Sequence, residues 1–305
     1  MPEPRRRNRL PLLLLVSLAA LGALGVAAVE WSRARHRPAV SAPAAESALR
    51  ATASLPPVAG IVRAIGGESW TVGSLVGPGQ DPHSYEPTPR QVAALASSRV
   101  FFRTGMPFED ALAARVAAAY PVVRIVSLAP GEGHREEEHG HRHHHEAAVH
   151  GWLSPHNLEA WARAIASELA AADPDGADAA GLRLVAWTAA LEREEKATRA
   201  AVAGSGLRAF AAWHPAYGAW AAEFGLEQIA LEADGKAPGP RTLEAARARI
   251  AETGAKVLLV QNDAEKARAA TFAESLGLRI AVVPPLSDDP LATLRTIRET
   301  LLPNP

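Results

Sequence analysis

At 305 residues the chain is long enough for two lobes of roughly 100 to 130 residues each, and a hydrophobic content of 48% supplies the cores. With 32 basic against 33 acidic residues the net charge is −1, so neither a nucleic-acid-binding basic face nor an acidic solvating tail is indicated. Cysteine is absent, which excludes disulfides, thiolate zinc clusters and thiol nucleophiles. Any transition-metal site here must use His, Asp and Glu.

The N-terminus carries Arg5, Arg6, Arg7 and Arg9, then an uncharged apolar run from Leu10 to Val29. About 20 such residues can span a bilayer as a helix. Residues 1–30 read either as an uncleaved membrane anchor or as a cleaved signal ending near Ala27-Ala28. In both cases the rest of the chain is exported, because the stronger basic cluster lies on the N-terminal side. Residues 31–49, rich in Ala, Pro, Ser and Arg, read as a tether.

From there short β-type runs alternate with helical stretches. Strand Ala51–Ser54 leads into a helix ending at Gly66-Gly67, and strand Trp70–Val76 follows. Thr88-Pro89-Arg90-Gln91 forms a capping-box start, with Thr as N-cap and Pro at the first helical position. Strand Val100–Arg103, helix Phe108–Ala119 and strand Val122–Ser127 complete the first series. A helix from Pro155 to Ala172, with Ser154 as N-cap, and a second from about Ala177 to Val202 come next. The second has no Gly or Pro between Leu182 and Val202, carries exposed charge at Glu192–Lys196, and reads as a stiff connector.

The pattern then recurs: strands Leu207–Ala212, Gln228–Leu231, Lys256–Val260 and Arg279–Val283 alternate with helices Ala216–Phe224, Thr242–Glu252, Ala264–Leu276 and Pro290–Leu301. Helices that stop on Gly and lead into apolar β-rich runs are the mark of parallel α/β units. The expected fold is therefore α/β. Two (β/α)4-type lobes with parallel sheets, 50–176 and 205–305, are joined by a long rigid connecting helix, 177–204, behind an N-terminal hydrophobic helix.

Residues 131–146 read GEGHREEEHGHRHHHE, without one apolar residue. Such a segment cannot pack into a core and is read as a loop. Its histidines, His134, His139, His141, His143, His144 and His145, are candidates for low-affinity metal collection. Of the chain's 11 histidines, setting these and His36 of the tether aside leaves His83, His150, His156 and His214. His83 follows the second strand of the first lobe, His150 its fourth strand, and His214 the first strand of the second lobe. Ligands of open parallel sheets bind at strand carboxyl ends, so two facing lobes can bring these three together in a metal cleft between them. His156 reads as a surface residue.

The residues around these histidines resemble a known family. Gly77-Pro78-Gly79-Gln80-Asp81-Pro82-His83-Ser84-Tyr85-Glu86-Pro87-Thr88-Pro89 is similar to the first-ligand motif of the zinc and manganese substrate-binding proteins of ABC importers, the ZnuA/TroA-like (cluster A-I) family. His150-Gly151-Trp152-Leu153-Ser154-Pro155 resembles the second-ligand motif and His214-Pro215-Ala216-Tyr217-Gly218 the third. Gly225 to Ala230, running on to Gly235-Lys236-Ala237-Pro238, fits as well. The resemblance implies His83, His150 and His214 as ligands, two lobes joined by a rigid helix, and an extracytoplasmic or periplasmic monomer. That monomer would hand its ion to a membrane ABC permease. A His-rich insertion before the second ligand is typical of zinc-directed members.

Three neutral imidazoles suit Zn²⁺ at ~2.0–2.1 Å and leave a fourth tetrahedral position open. Manganese prefers oxygen donors, whereas Ni²⁺ and Cu²⁺ bind imidazole at least as well as zinc. The chain departs from many relatives in one place. The aspartate that precedes the Pro-Leu after the last strand is here Pro284, so water, Asp288, Asp289 or Glu86 is left to fill the fourth position. Asp81 reads as a turn residue or an outer partner of the site. Two other functions share these residues, a His-rich zinc buffer or chaperone and a zinc hydrolase. The hydrolase lacks HExxH, GxSxG and an acidic residue at helical spacing from a ligand.

Overall fold

The computed structural model describes residues 49–77, 79–129, 150–232 and 237–302. The expected N-terminal hydrophobic helix, residues 31–48 of the expected tether and the His-rich stretch 131–146 lie outside these residues, while Leu49, expected to end the tether, instead opens the first strand. Among the described residues no helix is long and apolar enough to cross a membrane.

Among the described residues, eight short strands build two sheets. β1 (Leu49–Ala53), β2 (Trp70–Ser74), β3 (Val100–Arg103) and β4 (Arg124–Ser127) pair in the order β2-β1-β3-β4. β5 (Ala209–Ala212), β6 (Glu227–Ala230), β7 (Val257–Val260) and β8 (Arg279–Val282) pair in the order β6-β5-β7-β8. Every pairing is parallel. Central strands of such sheets are covered on both faces and read as continuous apolar runs. Ala209–Ala212 and Val257–Val260 are accordingly buried along their whole length.

The helices are α1 (Pro56–Gly66), α2 (Pro89–Ala94), α3 (Glu109–Ala119), α4 (Pro155–Ala172), α5 (Ala177–Ser205), α6 (Gly218–Glu223), α7 (Pro240–Thr253), α8 (Asp263–Leu276) and α9 (Pro290–Leu301). Local chemistry sets their ends. Thr88 and Gln91 form the expected capping box at α2, and the Ser154 hydroxyl accepts from the Asn157 N–H at the start of α4. α5, α7 and α8 stop at Gly206, Gly254 and Gly277, each with positive φ, where a side chain would cost conformational energy.

α5 joins the lobes and also packs against α1, α4 and α9, burying Ala180, Trp187, Leu191 and Thr198. This corrects the expectation of an exposed charged stretch over 192–196. Glu192 and Lys196 are exposed, but Glu194 shares the inner face with Leu191 and Thr198 at helical spacing and is 7% exposed. Its carboxylate is paired with Arg298 of α9 at 2.6 Å.

The main core runs without a break from the first sheet through α4 and α5 to one face of the second sheet, where Phe210, Tyr217 and Trp220 join it. A smaller core between the other face of that sheet and α7 and α8 belongs to the C-terminal lobe alone. The lobes also meet where α1 packs against the loop after β8. A Cβ on Gly60 would stand 1.8 Å from the Asp288 carbonyl oxygen, and Arg63 pairs with the Asp288 carboxylate at 3.1 Å.

Candidate metal centre

Three loops at strand carboxyl ends converge between the lobes. The first, after β2, is a folded turn: Asp81 Oδ1 accepts from the His83 N–H at 2.9 Å, and Asp81 Oδ2 accepts from the Ser84 hydroxyl at 2.9 Å. Asp81 is thus the turn residue that its position before Pro82 suggests. Tyr85 pins the loop from below, buried against Phe108 and donating to the Leu75 carbonyl at 2.7 Å. His83 rides on this turn as the exposed member of the set.

His150 opens a single tight turn, Gly151–Leu153, that runs directly into α4. Its side chain is buried at 3% exposure, edge-on to Trp152 with ring centroids 5.1 Å apart. The Trp152 indole N–H donates to the Pro285 carbonyl across the lobe boundary at 2.9 Å.

His214 leaves β5 at the strand end next to β7. Only 12% of its side chain is exposed, and its Nδ1 lies 3.2 Å from Glu232 Oε2. The other oxygen of Glu232 accepts from the Trp213 indole N–H at 2.6 Å, so the carboxylate is fixed at both ends. An acceptor at Nδ1 favours the tautomer with its proton there and turns the Nε2 lone pair toward the centre. Behind it stands Glu265, which accepts from the Gln261 N–H at 2.7 Å. Burial pushes the Glu265 carboxyl above the usual carboxylate range; the Gln261 N–H opposes this, the like charge of Glu232 adds to it, and His214 and Arg268 oppose it.

The three imidazoles meet through Nε2. His150 Nε2 stands 3.1 Å from His83 Nε2 and 3.2 Å from His214 Nε2. The ring centroids form a near-equilateral triangle of 5.0, 5.1 and 5.2 Å. A neutral imidazole nitrogen offers either one N–H or one lone pair. His150 Nε2 therefore cannot make two good hydrogen bonds to two neighbouring nitrogens. A cation at the centre removes the conflict by accepting a lone pair from each. Around zinc, ligand nitrogens at ~2.0–2.1 Å in tetrahedral array stand about 3.3–3.4 Å apart, close to the two separations found.

Among the described residues no carboxylate joins this group. Of the carboxylates expected as alternatives for the fourth position, Asp288 pairs with Arg63 and Asp289 caps α9 through the Ala292 N–H, while Glu86 is exposed. Pro284 follows Val283, whose N–H bonds back to the Val260 carbonyl, and offers no ligand. His156 is exposed at the start of α4, outside the group. The six histidines from His134 to His145 lie outside the described residues. Glu232 carries no mark of its own in the sequence; it comes beside His214 because β5 and β6 are neighbours, so the residues just past their ends adjoin.

Fold and site together define a class: two-lobed α/β proteins that direct imidazoles from both lobes to one point. Within it, the chain belongs to the family described as zinc-uptake complex component A, periplasmic, whose model matches residues 52–300. It is 26% identical over 256 residues to the zinc-binding lipoprotein AdcA of Streptococcus pneumoniae, covering 79% of this chain and 51% of that one. It therefore spans about half the length of its AdcA relatives. It is 29% identical to the high-affinity zinc uptake system protein ZnuA of Paracoccus denitrificans, covering 78% and 80% of the two chains. Among solved structures, a ZnuA crystal structure superposes with a TM-score of 0.74 at 27% identity, covering 84% of this chain and 98% of that one. A zinc-bound ZnuA deletion mutant gives 0.72 at 28% identity, covering 84% and 97%.

Proposed function

We propose that this chain is the extracytoplasmic zinc-binding component of an ABC-type metal importer, and that it binds Zn²⁺ through His83, His150 and His214 and delivers it to a membrane permease. The observation that carries the reading is the meeting of three Nε2 atoms, two from one lobe and one from the other, with no competing carboxylate among the described residues. An all-imidazole set favours zinc over manganese, which prefers oxygen donors. A water completes the coordination in this reading. The family and the zinc-named relatives support the same cargo and argue for a binding protein rather than an enzyme. His134, His139, His141, His143, His144 and His145 act as accessory low-affinity sites that raise the local metal concentration, and the protein works as a monomer.

Calorimetric titration of the purified protein with Zn²⁺, Mn²⁺ and Ni²⁺, beside His83→Ala, His150→Ala and His214→Ala, tests this. One tight zinc site, lost in each variant, is expected. Tight binding that survives all three substitutions, or a preference for Mn²⁺, defeats the proposal. Deleting residues 134–145 should leave the tight site intact and remove only weaker ones.

A further inference from the structure

The segment that carries His150 and the segment that carries His214 meet a second time, away from the imidazoles. Glu223, the last residue of α6, directs its carboxylate across the lobe boundary at the first turn of α4. The Ser154 hydroxyl donates to its Oε1, and the His156 N–H points at both oxygens, 3.3 and 3.2 Å away. Ser154 Oγ also accepts from the Asn157 N–H at 3.0 Å.

The first N–H groups of a helix have no partner within it, and its N-terminus favours a negative charge. For α4, part of that need is met by a carboxylate from the opposite lobe. Arg199 of α5 holds the Glu223 carbonyl at 3.2 Å, which fixes the end of α6 to the connecting helix. The contacts form a closed circuit. The chain runs from His214 through α6 to Glu223, crosses to Ser154, and returns through the turn Gly151–Leu153 to His150. The circuit closes where the two Nε2 atoms stand 3.2 Å apart. The Trp152–Pro285 hydrogen bond ties the same turn to the C-terminal lobe at a second point.

We infer that Glu223 is a positioning residue for metal capture: by capping α4 from the other lobe it sets the separation of His150 and His214, so that two imidazoles stand at coordinating distance before the ion arrives. This rests on the reading of His150 and His214 as zinc ligands. Its own oxygens are taken by α4, so Glu223 acts through Ser154 and His156 and not on the ion. Burial raises the Glu223 carboxyl, and the Ser154 and His156 contacts draw it back. The group is held at a site where burial alone disfavours its charge. Pre-organised ligands bind more tightly because ordering does not have to occur on binding, and related complexes differ chiefly in how fast they dissociate.

The test uses the full chain with Glu223→Ala, Glu223→Asp and Glu223→Gln. Zinc affinity is read by chelator competition, zinc release by stopped flow, and site geometry by the absorption spectrum of Co²⁺ bound in place of zinc. Ala, and Asp with its reach shortened by one methylene, should bind zinc about tenfold more weakly, the loss of one charge-assisted contact. The loss should appear as faster release and an altered Co²⁺ spectrum. Gln, whose amide oxygen can still accept from Ser154 and His156 but without the charge, should fall between Ala and wild type. If Ala melts earlier yet keeps wild-type affinity, release and Co²⁺ spectrum, Glu223 only stabilises the fold and the inference fails. Should Ala not fold, an Asp variant indistinguishable from wild type overturns it equally. If the wild type itself shows no tight zinc site, the metal reading beneath the inference is what has failed.

Discussion

The two sheets share one strand order, yet their carboxyl ends differ in chemistry. Backbone hydrogen bonds align them residue by residue. Ser54 N bonds to Phe102 O as Trp213 N bonds to Leu259 O, Leu75 N to Ala53 O as Leu231 N to Ala212 O, and Val76 N to Ser54 O as Glu232 N to Trp213 O. Leu55 therefore stands where His214 stands, and Val76 where Glu232 stands. In the N-terminal lobe this adjacent pair is apolar and fully buried. In the C-terminal lobe the same two backbone positions hold an imidazole and the carboxylate that orients it. Equivalent topology thus provides equivalent places, and the side chains decide whether a place becomes core or joins the imidazole cluster. The N-terminal lobe supplies its two imidazoles from elsewhere, past its edge strands β2 and β4.

The largest effect should come from imposing one lobe's chemistry on the other. His214→Leu gives the C-terminal lobe the residue of the N-terminal lobe. Structural zinc sites contribute ~10–16 kcal/mol over four ligands, so losing one imidazole should weaken zinc roughly 10²–10³-fold. The melting temperature without metal should change little. Calorimetry with zinc beside a thermal melt without it checks both halves, and a variant that still binds near wild-type affinity would remove His214 from the site.

A second feature is shared, with unequal weight. Glu109 in the N-terminal lobe and Glu265 in the C-terminal lobe each reach back from the start of a helix to N–H groups that follow the third strand of their sheet. Glu109 is fully buried and takes the N–H groups of Thr104, Gly105 and Met106 besides the Thr104 hydroxyl. Glu265 takes one backbone N–H beyond its strand, that of Gln261. Each buried donor left unpaired costs about 1–3 kcal/mol. Glu109→Ala should therefore lose at least ~3 kcal/mol of stability and Glu265→Ala roughly 1–2 kcal/mol. Urea unfolding without metal measures both, and equal losses would show that the backbone donors are not what Glu109 holds.

Smaller in effect is Glu232→Val, the remaining half of the lobe exchange. Outer partners of ligating histidines typically contribute 10–100-fold in metal affinity. The variant should lose zinc affinity within that range and keep one-to-one stoichiometry. Glu232→Gln, able to accept at one oxygen only, should fall between it and wild type. A Val variant with unchanged affinity would mean that Trp213 and the β5 backbone alone orient His214.

Much of this was legible in the sequence, for reasons that the particular elements show. α4 and α9 begin at the expected residues because Ser154-Pro155 and Asp289-Pro290 each place a capping side chain before a helix-starting proline. The strands were expected too long wherever apolar character continues past the ladder. Its apolar side chain places Val122 in β4, yet it is 85% exposed in the turn that Tyr120 and Pro121 begin, and the strand starts at Arg124. The three converging histidines were readable because strand-end placement is a property of chain order. Glu232, Glu223 and the buried Glu194 were not. Each gains its role from a neighbour that the fold brings close, and nothing in an isolated glutamate distinguishes a solvated one from one that caps another lobe's helix.

The subtlest difference between the lobes is electrostatic. Burial raises the carboxyls of both Glu109 and Glu265 above the usual carboxylate range, but only Glu265 also feels Glu232 and His214, so Glu109 gives the cleaner titration. An unfolded glutamate titrates near ~4.3. With the folded value above it, the native chain holds more protons than the unfolded chain between the two values. The stability from this group is then complete below the unfolded value and is lost as pH rises through the folded one. Glu109→Gln cannot ionise and lacks that slope. Without metal, the stability gap between wild type and Glu109→Gln should therefore narrow as pH goes from about 4 to about 8, measured by urea unfolding at each pH. A gap that stays flat or widens would mean that the four hydrogen bonds to the carboxylate outweigh its burial.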